Sequence, residues 1–308
     1  LIMKYHVPVL LNESIKGLSI KPEGIYVDLT FGGGGHSKLI LEKLSKKGKL
    51  FSFDTDLDAI KNNPISQDNF ELIQSNFRFF DSHLKSKGIE KVDGILADLG
   101  ISSHQIDNSE RGFSYKGDYL LDMRMSNEIK LSAEDVINDY EKNNLNNILF
   151  NYGDIKNSRS IVDKIINCRN RKRIKKNSDL IKILNQIFGK KVSFKFLSKF
   201  YQAIRIEVND EINSLKEMLK KTVNQLNTKG RLVIISYHSI EDRLVKNFIN
   251  KSNFLPDYQK DLFGKKVEFF KRINKKPFTP SLEELKENPR SRSAKLRIGE
   301  KIWILRIK

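Results

Sequence analysis

Short apolar runs bounded by glycine and polar turns recur through the first hundred residues, each followed by apolar positions at helical spacing. Ile25–Leu29 predicts a short buried strand; Gly32 to Gly35 follow it, and Leu39, Ile40 and Leu44 then predict a helix. Lys49–Phe53 predicts a second strand ending in Asp54, Phe70–Ile73 a third, and Val92–Asp98 a fourth with Asp98 at its C-terminal end. From Gly100 to about Tyr201 the pattern changes. Ile101–Gln105, Arg111–Tyr115 and Leu121–Met125 lack periodicity and read as an ordered loop. Ser132 and Asp135 have helix-start spacing, Ile161, Val162, Ile165 and Ile166 mark an amphipathic helix, and another helix starts near Ser178. The strand and helix alternation then returns. Val208, Ile212, Leu215, Leu219, Val223 and Leu226 predict one long helix ended by Gly230, and Arg231–Ser236 a buried fifth strand. Tyr237–Arg243 turns into the next helix, with Ser239 and Asp242 at capping-box spacing. Lys266–Phe270 is strand-like, and Ile302–Ile307 predicts a last strand. The expected class is α/β, with residues 1–101 and 200–308 forming a discontinuous core and 102–199 a helical insertion.

A strand, a glycine turn and a helix let the backbone come close to a ligand, because no Cβ intervenes. Asp54 lies about twenty residues beyond Gly35, where nucleotide-binding α/β units place the acid that holds a ribose. Asp28 stands at the end of the first strand, just before the turn. A carboxylate there repels a pyrophosphate and suits the ammonium and sulfonium charges of S-adenosylmethionine, so a methyl-donor site is expected. Phe77, just after the third strand, falls at the adenine end of such a site, although aromatics are more often core. Ligands of open α/β sheets sit outside the C-terminal strand ends, which suits Asp98; acids at strand ends also serve as helix caps.

Charge adds a second class of partner. Lys and Arg outnumber Asp and Glu by 56 to 38, a net charge of +18, which points to nucleic acid or an anionic surface. A Lys-, Asn- and Ile-rich composition accounts for part of that excess. Arg169–Lys176 carries six basic residues in eight and is the densest candidate for phosphate contacts, the alternative being a solvated face. The single cysteine, Cys168, forms no internal disulfide and fits a reducing cytoplasm. With no signal-like segment and no membrane-length apolar run, a soluble cytoplasmic protein is expected. The five histidines are scattered, so no metal site is expected, and no P-loop pattern occurs.

The chain resembles the RsmH (MraW) family, the S-adenosylmethionine-dependent N4-cytidine methyltransferases of bacterial small-subunit ribosomal RNA. The resemblance covers nearly the whole length. It rests on His6-x-Pro-Val-Leu-Leu, Phe31–Ser37, Asp98–Ser103, Arg111–Ser114, Leu121–Met125, Gln202–Ile206, His238–Arg243 and Asn288–Ser293, in the family's order. It implies a Rossmann-like methyltransferase core with an inserted helical domain that recognises RNA, S-adenosyl-L-methionine as donor, and 16S ribosomal RNA of the small subunit as substrate. By resemblance, Gly34, Gly35 and His36 are the cofactor loop, Asp54 the ribose acid, Phe77 the residue at the adenine, and Asp98 and Gln105 the remaining donor contacts. No residue is assigned to orient the cytidine amine; Phe113, Tyr115 and His238 are candidates to stack on the base. Tyr119-Leu120 stands where the family usually has Gly-Pro, and Tyr201 and Ile240 replace Phe and Leu. Two rivals are a non-catalytic RNA-binding or ribosome-assembly protein on the same fold, and an NAD-dependent oxidoreductase.

Overall fold

The computed structural model describes residues 8–251 and 268–302. His6, Lys266-Val267 and the strand expected at 302–307, apart from Ile302, lie outside the described residues. The chain divides into two compact units, 1–100 with 213–308, and 101–212.

In chain order the elements are α1 (Leu11–Leu18), β1 (Ile25–Asp28), α2 (Gly35–Leu41), β2 (Lys49–Asp54), α3 (Leu57–Lys61), β3 (Phe70–Gln74), α4 (Phe80–Ser86) and β4 (Val92–Asp98). The 101–212 unit holds α5 (Ser103–Asp107), α6 (Ala133–Asp139), α7 (Lys142–Gly153), α8 (Ser158–Arg169), α9 (Asn177–Phe188) and α10 (Phe194–Val208). There follow α11 (Glu211–Gln225), β5 (Leu226–Ser236), α12 (Ser239–Lys251), β6 (Phe270–Arg272), α13 (Leu282–Glu287) and β7 (Lys295–Lys301).

The sheet order is β3-β2-β1-β4-β5-β7-β6. The first five strands are mutually parallel, and β7 runs antiparallel to both β5 and β6. This is a doubly wound, Rossmann-like sheet. Strand residues alternate between two covered faces, as buried parallel strands must. Val27, Phe53, Ile95 and Ile234 pack with Phe80 and Leu84 of α4, Leu219 of α11 and Phe248 of α12. Tyr26, Leu50, Leu96 and Ile235 face the other way, against Leu18 of α1 and Ile40 of α2. The winding reverses between β1 and β4, so the C-terminal ends of these neighbours border the crevice where such sheets hold ligands.

The other unit has its own core, with Val136, Leu149, Val162, Leu184, Phe200 and Ile204 buried together. Ser132 and Asp135 cap α6 reciprocally: Asp135 N donates to Ser132 Oγ (3.2 Å) and Ser132 N to Asp135 Oδ2 (2.9 Å). The aperiodic stretch before it is ordered by polar contacts. Arg111 donates to the carbonyls of Arg124 and Met125, and Asn209 bridges Met123 O and Met125 N.

Four expectations change. The apolar spacing that predicts one helix from Val208 is carried by two, because Asp210 takes a left-handed conformation (φ 49°) between α10 and α11. Leu226 belongs to β5, paired with Val92, so that helix ends before Leu226 and not at Gly230. Asp242 does not complete a capping box with Ser239; its carboxylate grips Arg297 at 2.6 and 3.2 Å. The second division between units falls at 212/213, whereas residue 200 lies inside α10.

Candidate active site

Three aspartates close neighbouring parallel strands: Asp28 on β1, Asp54 on β2 and Asp98 on β4. The segment after β1 ties them together. Leu29 N donates to Leu96 O on one side, and Phe31 N to Phe53 O on the other, both at 2.8 Å. Asp28 is fully buried and accepts from Thr30 N (3.1 Å) and Ser37 Oγ (2.6 Å), which fixes the loop to the first turn of α2. Thr30 Oγ1 accepts from Asp98 N at 2.6 Å, so the same loop also holds the end of β4.

Asp54 carries the loop from the other side. Its Oδ2 accepts from Gly32 N (2.8 Å) and its Oδ1 from Asp56 N (2.9 Å). Its main-chain oxygen accepts from Ser75 N at 2.9 Å, which brings the end of β3 beside it. Phe77, in a short 3-10 turn just beyond, is half-buried against the core. Asp98 Oδ1 accepts the phenol proton of Tyr237 at 2.8 Å, and Tyr237 N donates to Glu241 Oε2 at 3.0 Å.

The glycines serve different ends. Gly32 (φ 53°) and Gly34 (φ 77°) adopt the left-handed backbone that disfavours a side chain. A Cβ on Gly35 would stand 2.1 Å from Pro8 Cγ, so its smallness admits the chain itself. Among these three, only Gly32 has open space where a Cβ would be. His36 is buried, with Nε2 3.2 Å from the carbonyl of Val9, which makes Nε2 the donor. Its main chain is what the loop can offer a ligand. Gln105 lies in the 101–212 unit, buried, in a capping box with Ser102.

The electrostatics of this cluster are one-sided. Burial pushes Asp28 up to about 7, Asp54 to about 6 and Asp98 to about 7. Repulsion adds to it: Asp54 raises Asp28, and Asp28 raises Asp98. Among the described residues, none of the three pairs with Lys or Arg. Clustered carboxylates without a counter-cation favour a positively charged ligand.

In the 101–212 unit the basic run Arg169–Lys176 splits in two. Arg169 donates to the carbonyls of Ile137 and Tyr140, Arg173 pairs with Glu134, Asp135 and Asp139, and Lys176 pairs with Asp118. Arg171, Lys172 and Lys175 are exposed and form no ion pair among the described residues. Of the stacking candidates, Phe113 is buried in the core, Tyr115 is half-buried against other rings, and His238 accepts from Glu241 N at its Nδ1 (3.4 Å).

Thr30, Ser37 and Tyr237 are the supporting residues that the sequence does not single out. A signal for Tyr237 exists: it directly follows β5, the parallel neighbour of the strand that ends in Asp98.

Residues 3–302 match the model of the MraW methylase family. The chain is 50% identical over 300 residues to "Ribosomal RNA small subunit methyltransferase H" of Flavobacterium johnsoniae, covering 97% of this chain and 99% of that one. It is 49% identical over 297 residues to the protein of the same description in Phocaeicola vulgatus, covering 96% and 97%. A crystal structure described as an rRNA methylase from Streptococcus thermophilus covers 97% of this chain and 99% of its own at 14% identity and a TM-score of 0.43, too loose a likeness to bear on the site. The match of the family model over nearly the whole length, with relatives of one description near half identity, places the chain in the MraW methylase family.

Proposed function

We propose that the chain methylates the N4 amine of a cytidine in 16S ribosomal RNA of the small ribosomal subunit, with S-adenosyl-L-methionine as donor, in the cytoplasm. The observation that carries this reading is the cluster of Asp28, Asp54 and Asp98 at neighbouring strand ends, none of which pairs with Lys or Arg among the described residues. S-adenosyl-L-methionine brings an ammonium, and a sulfonium whose methyl is electrophilic. An ionised carboxylate has about four acceptor sites, and backbone N–H groups fill one on each oxygen of Asp54. The Thr55 N–H also approaches this carboxylate, and the acceptor capacity that remains suits a ribose hydroxyl. Phe77 packs at the adenine, the main chain of Gly34, Gly35 and His36 forms the loop around the donor, and Asp98 and Gln105 complete its contacts. The relatives' description as small-subunit ribosomal RNA methyltransferases supports the substrate class.

Cytosine's exocyclic amine is a weak nucleophile because its lone pair is delocalised into the ring. The protein's part is therefore to place the amine in line and surround it with acceptors. An unpaired cytidine enters most easily, since no partner has to be displaced. The 101–212 unit supplies RNA recognition, with Arg171, Lys172 and Lys175 meeting phosphates. The test is methyl transfer from labelled S-adenosyl-L-methionine to small subunits lacking the modification, followed by nucleoside analysis. Label in N4-methylcytidine is expected. Label in another nucleoside would overturn the target, and donor binding without any transfer would favour a non-catalytic protein.

A further inference from the structure

Three phenylalanines of the 101–212 unit are exposed; Phe150 stands on α7 (55%), and the other two lie six residues apart, Phe188 at 40% and Phe194 at 59%. These two flank the turn between α9 and α10, and neither is loose. Phe194 lies nearly parallel to Tyr115 (5.9 Å between centroids, 28°), and Tyr115 meets Tyr201 edge-on at 5.8 Å. Phe188 sets its ring edge-on to Phe196 at 4.9 Å, and Phe196 leans on buried Phe200. Both exposed rings are thus backed by further rings that reach the core, so their orientation is fixed while a face stays open.

The segment that carries them is basic. Between Phe188 and Phe196 stand Lys190, Lys191 and Lys195 and no acid. All three are exposed, and none forms an ion pair among the described residues. Along α9, Ile181, Lys182, Asn185 and Gln186 line an open recess of about 670 Å³ that also takes in Lys190. An apolar floor, carboxamides and a rim of lysine suit a nucleobase with its phosphate. Rigid aromatic faces alternating with unpaired cations are how proteins hold single-stranded nucleic acid: bases stack, and phosphates meet the cations. A protein partner would call for a wider apolar patch and fewer unpaired lysines at its centre.

We infer that the α9–α10 turn is a stacking platform for single-stranded RNA, in which Phe188 and Phe194 receive bases and Lys190, Lys191 and Lys195 receive the backbone. This rests on the reading of the chain as an enzyme acting on RNA, and gives that reading a docking face within the 101–212 unit.

The test compares a short single-stranded oligouridylate with an abasic strand of equal length, both fluorescently labelled, binding to the full chain. The wild type should prefer the strand that carries bases. Phe188→Ala with Phe194→Ala should weaken that strand about tenfold or more and leave the abasic strand unchanged. Phe194→Trp, which keeps an aromatic face, should retain binding. Changing Lys190, Lys191 and Lys195 to Gln should flatten the salt dependence on both strands, by about 0.7 in the log–log slope for each phosphate that is no longer neutralised. The platform is overturned if the double Phe variant binds oligouridylate as the wild type does, or loses both strands equally. It is also overturned if that variant loses only whole small subunits, which would assign the face to a ribosomal protein. If the wild type methylates small subunits and the double variant binds RNA normally, the platform alone falls. If the wild type neither binds RNA nor methylates subunits, the functional reading falls with it.

Discussion

The phenol of Tyr237 donates to Oδ1 of Asp98 at 2.8 Å, so the residue after β5 steadies the acid that ends β4. Burial holds the phenol well above its ordinary range, which keeps Tyr237 a donor at any working pH. A hydrogen bond to a charged group stabilises that charge by about 1.5–3 kcal/mol, or roughly one to two pH units. Tyr237→Phe should therefore raise the pH at which donor affinity is half lost by about one unit, measured by calorimetry with S-adenosyl-L-methionine. An unmoved midpoint would reduce Tyr237 to packing.

Asp54 titrates at about 6 and accepts best when ionised. Donor affinity should fall below pH 6, by up to about tenfold per pH unit, as protons compete for the carboxylate. Asp54→Ala should weaken the donor by about tenfold or more and leave RNA affinity nearly intact. Equal loss of both ligands in a filter-binding assay would reject the ribose role.

Asp28 makes an opposite demand on stability. Its folded value, about 7, lies far above the ordinary 3.8, so the folded chain holds this proton more tightly than the unfolded one. That contribution is fully present below about pH 4 and is lost as pH rises through 7. Asp28→Asn keeps the size and can still accept from Thr30 N. The variant should gain on the wild type between pH 4 and pH 7 in chemical denaturation, and should bind the donor less well. A constant difference across that range would contradict the buried charge.

The split basic run predicts two phenotypes from neighbouring residues. Changing Arg171, Lys172 and Lys175 to Gln should flatten the salt dependence of RNA binding and leave the melting temperature unchanged. Arg173→Gln should instead lower the melting temperature, since it strands Glu134, Asp135 and Asp139, and should barely move the salt slope. Swapped outcomes would show that Arg173 leaves its acids to meet phosphate.

The parallel strands were legible because buried strands read as unbroken apolar runs, and their terminal acids stand where the run stops. β7 was hidden by its own charges. Leu296 and Ile298 are its apolar positions, whereas Lys295 and Arg297 are held by Asp242 and Lys301 lies over the rings of Phe269 and Phe270. Without knowledge of those partners, Lys295–Lys301 looks like a solvated basic stretch. The break between α10 and α11 was hidden by the reverse effect, because the apolar spacing passes through Asn209 and Asp210 almost in phase. At the site, Asp28 and Asp54 stand out from their positions alone. The need for glycine at residue 35 does not, because Pro8 supplies it from a distant stretch of chain.

The place of β5 in the sheet constrains how the molecule is made. Its partner β4 leaves the ribosome long before it, since all of residues 101–212 must be synthesised in between. During that interval β4 presents an apolar edge with no neighbour, a template for wrong pairing. Pairing across so long a loop raises the contact order of the sheet, which slows folding. The inserted unit has a core of its own, so it can fold as a unit before the two strands meet.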